Sequence, residues 1–188
     1  MPELGSVRWP PAPIETGRLV LREPEARDRA AFVELLSSPE VHTYLGGPRP
    51  RDECERVLPQ APERRPGLFV TELDGAMVGM VELKPHGASG SGHARRDVAR
   101  TEIGYLFLPR AWGRGYAAEA GAAALGWFSG ALPGEPVVLC TQTANDRSMR
   151  LAAKLGFTEV QRFEAWDAEQ WMGVWSPHDG PGGATTGP

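Results

Sequence analysis

Apolar and polar residues alternate along "RLVLREP", residues 18–24, and the run stops at a proline, so it predicts a strand. The period then changes. In "EARDRAAFVELLSS" the residues Ala30, Phe32, Val33, Leu35 and Leu36 crowd one side of a helix, and a second, weaker helix is expected near "RDECERVLPQ". "LFVTELDGAMVGMVELKP" reads as two strands around Asp74 and Gly75, a pair that favours a tight hairpin because both positions tolerate positive φ. "HGASGSGHARRD" is a glycine and serine connector. "VARTEIGYLFLP" has the strongest strand pattern, long, aromatic and stopped by Pro109.

"LPRAWGRGYAAEA" then opens a helix expected to last until about Gly130, followed by a buried-looking strand at "PVVLCTQT". "NDRSMRLAAKLGF" begins with an N-cap candidate and ends at Gly156, a C-cap signal. "TEVQRFEAW" and "EQWMGVW" form a closing hairpin. This order predicts a mixed α+β sheet in a single domain over 14–177. The proline-rich residues 1–13 are expected to be loose, and the tail 178–188 is too poor in apolar residues to pack.

With 188 residues and 41% hydrophobic content, the chain can build one sizeable core. No run reaches the roughly 18 apolar residues of a membrane span, and the start lacks a secretion signal, which predicts a cytoplasmic, soluble protein with no membrane partner. Cys54 and Cys140 stand in unrelated contexts, and His42, His86, His93 and His178 lack metal-ligand spacing, so no disulfide framework or metal is expected. The net charge of −4 argues against a nucleic-acid partner. Between His93 and Arg114, however, Arg95, Arg96, Arg100, Arg110 and Arg114 face only Asp97 and Glu102, which is either a solvated face or a landing site for an anion.

The glycines Gly113 and Gly115 sit where that arginine-rich stretch meets an alanine-rich helix. A helix start presents unpaired N–H groups and a positive dipole end, and glycine lets a phosphate approach the backbone. A tight strand-to-helix turn is the structural alternative. There is no GKS or GKT, which excludes a P-loop. "GRGYAA" fits a dinucleotide fold, but "PVVLCTQT" lacks the acidic residue that would hold a ribose, and the antiparallel strands ahead of it argue against that architecture.

Taken together, "TEIGYLFLPRAWGRGYAAEA" and "NDRSMRLAAKLGF" resemble the GNAT superfamily of acetyltransferases, specifically the branch that acetylates N termini of ribosomal proteins. The likeness spans roughly residues 15 to 175. It implies the GNAT fold, with a mostly antiparallel sheet of six to seven strands and about four helices. In that family a bulged fourth strand parts from the fifth, and the arm of acetyl-coenzyme A enters the opening.

Carried onto this chain, the resemblance implies that Tyr105, Leu106, Phe107 and Leu108 face the arm. Amides of Gly113, Arg114, Gly115, Tyr116, Ala117 and Ala118 would hold the pyrophosphate, with Arg110 or Arg114 adding charge. Asn145 would bond the arm, a role that can coexist with capping the helix. Glu102 would act as base through a water, or be a surface glutamate paired with an arginine. The usual acid, a tyrosine four residues before Gly156, is replaced by Ala152; Ser148 matches the serine of the ribosomal-protein branch and would serve the sulfur, or simply pack in the first helical turn. His42, Tyr44, Trp166 and Trp171 are candidates to line the acceptor pocket, with core positions as the alternative. The implied partners are acetyl-coenzyme A and a primary amine, an α-amine of a peptide ahead of a small molecule, with the chain a monomer or homodimer. A catalytically silent acyl-coenzyme A binding module is the rival reading.

Overall fold

The structure, a computed structural model, describes residues 4–87 and 97–177. Its strands are β1 (Ile14–Glu15), β2 (Val20–Arg22), β3 (Leu68–Leu73), β4 (Ala76–Pro85), β5 (Thr101–Phe107), β6 (Val137–Gln142), β7 (Thr158–Ala165) and β8 (Ala168–Trp175). The helices are α1 (Arg29–Ser37), α2 (Arg51–Val57), α3 (Tyr116–Ala131) and α4 (Asp146–Leu155). All eight strands join one sheet in the order β1-β2-β3-β4-β5-β6-β8-β7. Every pair is antiparallel except β5 with β6.

The strand count exceeds the expected six to seven because Ile14–Glu15 pairs with β2, a two-residue strand too short for any alternation to reveal. It also shifts the numbering, so that the family's fourth and fifth strands are β5 and β6. The two hairpins close through residues in the left-handed region, Asp74 and Gly75 (φ 50° and 82°) and Trp166 and Asp167 (φ 52° and 56°). Only the first of these carried the glycine signal.

Strand alternation sorts the core onto two faces. Phe69, Val81, Leu83, Ile103 and Phe107 meet Tyr116, Ala120, Ala124 and Phe128 of α3, whereas Val70, Met77 and Leu108 meet Phe32 and Leu35 of α1. The small residues of α3 permit a close fit to its neighbours. Ala120 and Ala124 are fully buried, and a Cβ at Gly121 would lie 2.9 Å from Leu155 of α4.

The start of the chain, expected to be loose, packs from Leu4 onward. Leu4 is buried, and the Trp9 ring meets Phe69 and Trp127 edge-on at 5.0 and 5.6 Å while its indole N–H donates to Glu23. A tryptophan buries enough apolar surface to anchor a segment that is otherwise rich in proline. The connector residues 88–96 and the tail from 178 lie outside the described residues, and His93, Arg95, Arg96 and His178 with them. No helix among the described residues is long and apolar enough to cross a membrane.

Candidate active site

β5 keeps a full partner on one side and loses it on the other. Its pairing with β4 runs without a register shift from Thr101↔Pro85 to Phe107↔Gly79, but with β6 only Thr101↔Val137 and Glu102↔Val138 are joined. Beyond Glu102 the two strands diverge. The bulge implied for this strand is therefore absent on its β4 side, and the opening arises because β6 turns away.

The ladder also fixes which backbone groups face the gap. The Leu108 N–H donates to Val78 O at 2.9 Å, so in an antiparallel pair the even-numbered residues of β5 bond to β4. The odd-numbered residues, Ile103, Tyr105 and Phe107, turn their N–H and C=O toward the departed strand. The Phe107 carbonyl accepts from the Trp112 indole at 2.7 Å, which leaves its N–H toward the opening. Leu108 is a correction to the expected set. Its N–H is bonded to β4, its carbonyl accepts from Ala111, and its side chain is fully buried against α1. Leu106 likewise packs on the α1 face.

At the open end, Leu108 leads through a single 3-10 turn, Pro109–Ala111, into Gly113 and Gly115, both in the left-handed region with φ of 74° and 80°. Gly115 is the N-cap of α3 and supplies no side chain to it, so the first amides of the helix have no capping partner from that residue. A Cβ added at Gly113 would meet nothing within 4 Å, and at Gly115 only the Arg18 guanidinium. The glycines thus serve the backbone conformation and also keep the amides open to an anion.

The surrounding cations overlap only in part with those expected. Arg110 is exposed and ion-paired with Glu34 of α1. Arg114 instead lines a shallow cleft of about 380 Å³ beside α3, together with Arg18, Ala118, Glu119 and Lys154. Arg18 pairs with Glu119 at 2.7 Å, donates to the Arg114 carbonyl at 2.9 Å and covers the ring of the buried Tyr116. Three cations against one carboxylate leave the cleft positive. Neither Arg18 nor Lys154 stood out in the sequence, because their approach depends on tertiary packing and no spacing encodes it.

On the α4 side of the gap, Asn145 caps the helix by accepting from the Ser148 N–H at 3.2 Å, so its side-chain oxygen is engaged and its amide N–H₂ remains. The Ser148 hydroxyl is hydrogen-bonded to the Tyr105 phenol, reaching across from β5. Ser148 is buried and Ala152 fully so. Further out, the Arg147 guanidinium lies 4.6 Å from the centre of the Trp112 ring, a contact between the two rims that sequence reading missed.

Glu102 lies on the opposite face, opposite Lys84 in the ladder. Its carboxylate is 3.8 Å from the Lys84 ammonium and 3.2 Å from His86 Nδ1, so its partners among the described residues are a lysine and a histidine. The His86 side chain is almost fully buried, and its Nε2 has no partner among the described residues. Burial pushes the nearby Cys140 thiol up to about 12, and the Glu102 charge adds to the effect, so that cysteine is inert near neutrality.

Of the acceptor candidates, Tyr44 sits where its carbonyl accepts from Gln142 at the end of β6, which brings the segment after α1 to the mouth of the gap. His42 lies in the same segment. Burial holds its imidazole below the ordinary value, against a hydrogen bond with the Leu35 backbone, and its Nε2 is buried without a partner among the described residues. Trp166 stands 61% exposed at the β7–β8 turn. Trp171 takes the core alternative, 5% exposed and donating its indole N–H to Glu159.

Comparison with known proteins agrees with this geometry. The model of the acetyltransferase (GNAT) domain matches residues 18–158. The uncharacterized protein YkkB of Bacillus subtilis is 27% identical over 161 residues, covering 82% of this chain and 90% of its own. A GNAT-family acetyltransferase from Bacillus anthracis superposes with a TM-score of 0.69 at 20% identity, over 87% of this chain and 98% of that one. The aminoglycoside acetyltransferase AAC(6')-Ib in complex with coenzyme A superposes with a TM-score of 0.65 at 17% identity, over 86% of this chain and 96% of that one. A splayed strand pair beside an open, glycine-flanked helix start and a family match over most of the chain lead to one conclusion: this chain belongs to the GNAT acetyltransferase domain family and is an acyltransferase.

Proposed function

We propose that the chain transfers an acetyl group from acetyl-coenzyme A to a primary amine by direct attack in a ternary complex. The parting of β5 from β6 beyond Glu102 carries this reading, because it offers strand backbone to a thioester arm with the anion cradle of Gly113 to Ala118 at its end. The Tyr105 backbone would pair with the arm, the amide N–H₂ of Asn145 would bond it, and the Phe107 N–H would take the developing oxyanion. Arg18, Arg114 and Lys154 would attract the phosphates, and Arg110 would act only through the wider field.

The attacking nitrogen must be neutral. Near pH 7 that costs about 4.6 kcal/mol for a lysine and about 1.4 for an α-amine. Glu102 is the carboxylate beside the parting point, and it already serves Lys84 and His86. A single engaged base favours the less demanding acceptor, an α-amine of a peptide. His42, Tyr44 and Trp166 would border the acceptor. A small polyamine or aminoglycoside is the second reading, favoured by the likeness to the aminoglycoside acetyltransferase.

Coenzyme A should raise the melting temperature while NAD leaves it unchanged. Thiol release from acetyl-coenzyme A should then appear with peptides bearing a free N terminus and be lost when that terminus is blocked. Stabilisation by NAD alone would overturn the donor assignment. Binding of coenzyme A without turnover of any amine would mark a silent binding module, and turnover confined to small polyamines would replace the peptide acceptor.

A further inference from the structure

The departing sulfur needs its charge held, and this inference, which rests on the acetyl-transfer reading above, concerns how that is done. Four residues before Gly156, where the resemblance implies a tyrosine, stands Ala152, buried and without a hydroxyl. A phenol reaches the same region by another route. Tyr105 projects from β5 on the α3–α4 face, and its hydroxyl is hydrogen-bonded to Ser148 Oγ in the first turn of α4. The Asn145 cap on the Ser148 N–H fixes that turn.

A serine hydroxyl has one proton and two lone pairs, and a phenol has one proton to give. Two arrangements are open to the pair. If Ser148 donates to Tyr105, its proton is committed within the protein. If Tyr105 donates to Ser148, the serine proton stays available to a ligand in the gap. Burial pushes the Tyr105 phenol up, against the hydrogen bond with Ser148, so Tyr105 keeps its proton across the neutral range and can act as a permanent donor.

We propose that Tyr105 is a positioning residue that donates its phenolic hydrogen to Ser148 Oγ and thereby leaves the Ser148 O–H to bind the sulfur of coenzyme A. In the transfer, the amine nitrogen forms a bond to the thioester carbon, and the C–S bond breaks with its electron pair moving to sulfur. The Ser148 O–H holds the resulting negative charge. The proton that the amine gives up passes to Glu102 and solvent, which balances the thiolate. The hydroxyl absent at residue 152 is thus replaced by two hydroxyls in series.

The test is the thiol pKa of coenzyme A in its binary complex, followed by thiolate ultraviolet absorbance against a desulfo-coenzyme A blank. Removing the donor should raise that pKa by about one unit in Ser148→Ala, the scale of one hydrogen bond to a charged group. Tyr105→Phe keeps the ring but removes the donated hydrogen bond that orients Ser148 Oγ and polarises its O–H toward the sulfur, so it should raise the pKa in the same direction, with no further rise in the double variant. In turnover, each single variant and the double should lower kcat by about tenfold, with KM for acetyl-coenzyme A within about twofold. Unchanged thiol pKa in Tyr105→Phe, or losses that multiply in the double variant, would overturn the proposal and leave the acetyl-transfer reading standing. Failure of coenzyme A to bind the wild-type chain would sink both.

Discussion

Glu102 and Tyr105 stand three residues apart on β5 and so lie on opposite faces of the sheet. The strand therefore offers a carboxylate on the α1 side and a hydroxyl pair on the α4 side, one for each end of the proposed acyl transfer. Replacing Glu102 with Gln keeps the shape and removes the proposed base. The expected result is a fall in kcat/KM of about a hundredfold with a weaker rise of rate with pH, measured with a peptide α-amine. An unchanged profile would remove Glu102 from that role. Gly113 and Gly115 were legible as residues of special purpose in the sequence, since two glycines one apart before alanines have few uses. Arg18 was not, because a lone arginine before a strand carries no positional signal.

At the scale of elements, an ion-pair network couples β2 to the start of α1 and to β3. Arg22 donates to both Asp28 carboxylate oxygens at 2.8 and 2.9 Å and to Glu72 at 2.6 Å, and the Asp28 side chain is 2% exposed. Burial works against the Asp28 charge, but hydrogen bonds from Arg22 and the Glu25 amide outweigh it and hold the carboxyl below its ordinary value. A depressed carboxylate stabilises the fold fully above its unfolded value near 4, and the contribution is lost as pH falls through the lower folded value. Asp28→Asn should cost about 3 kcal/mol at pH 7, the low end for breaking a buried pair because Glu72 still faces Arg22. In urea unfolding, the difference from wild type should narrow below about pH 4. An equal difference at pH 7 and pH 3 would contradict this. The helix in this network was evident from its apolar spacing, whereas the network was not, since residues 22, 28 and 72 meet only once the sheet forms.

Across the whole molecule, the sequence disclosed what local patterns control: the order of strands and helices along the chain, the Asp74–Gly75 turn and the Asn145 and Gly156 caps. It concealed what long-range packing decides, including the anchoring of the N-terminal segment by Trp9 and the pairing of Tyr105 with Ser148. The fold's central device is the divergence of two neighbouring strands above a helix start. Titration of the ¹⁵N-labelled chain with coenzyme A probes that device amide by amide. The largest shifts should fall on Gly113 to Ala118 and on Tyr105 and Phe107. Saturable binding that leaves those amides unmoved while others shift would contradict the account.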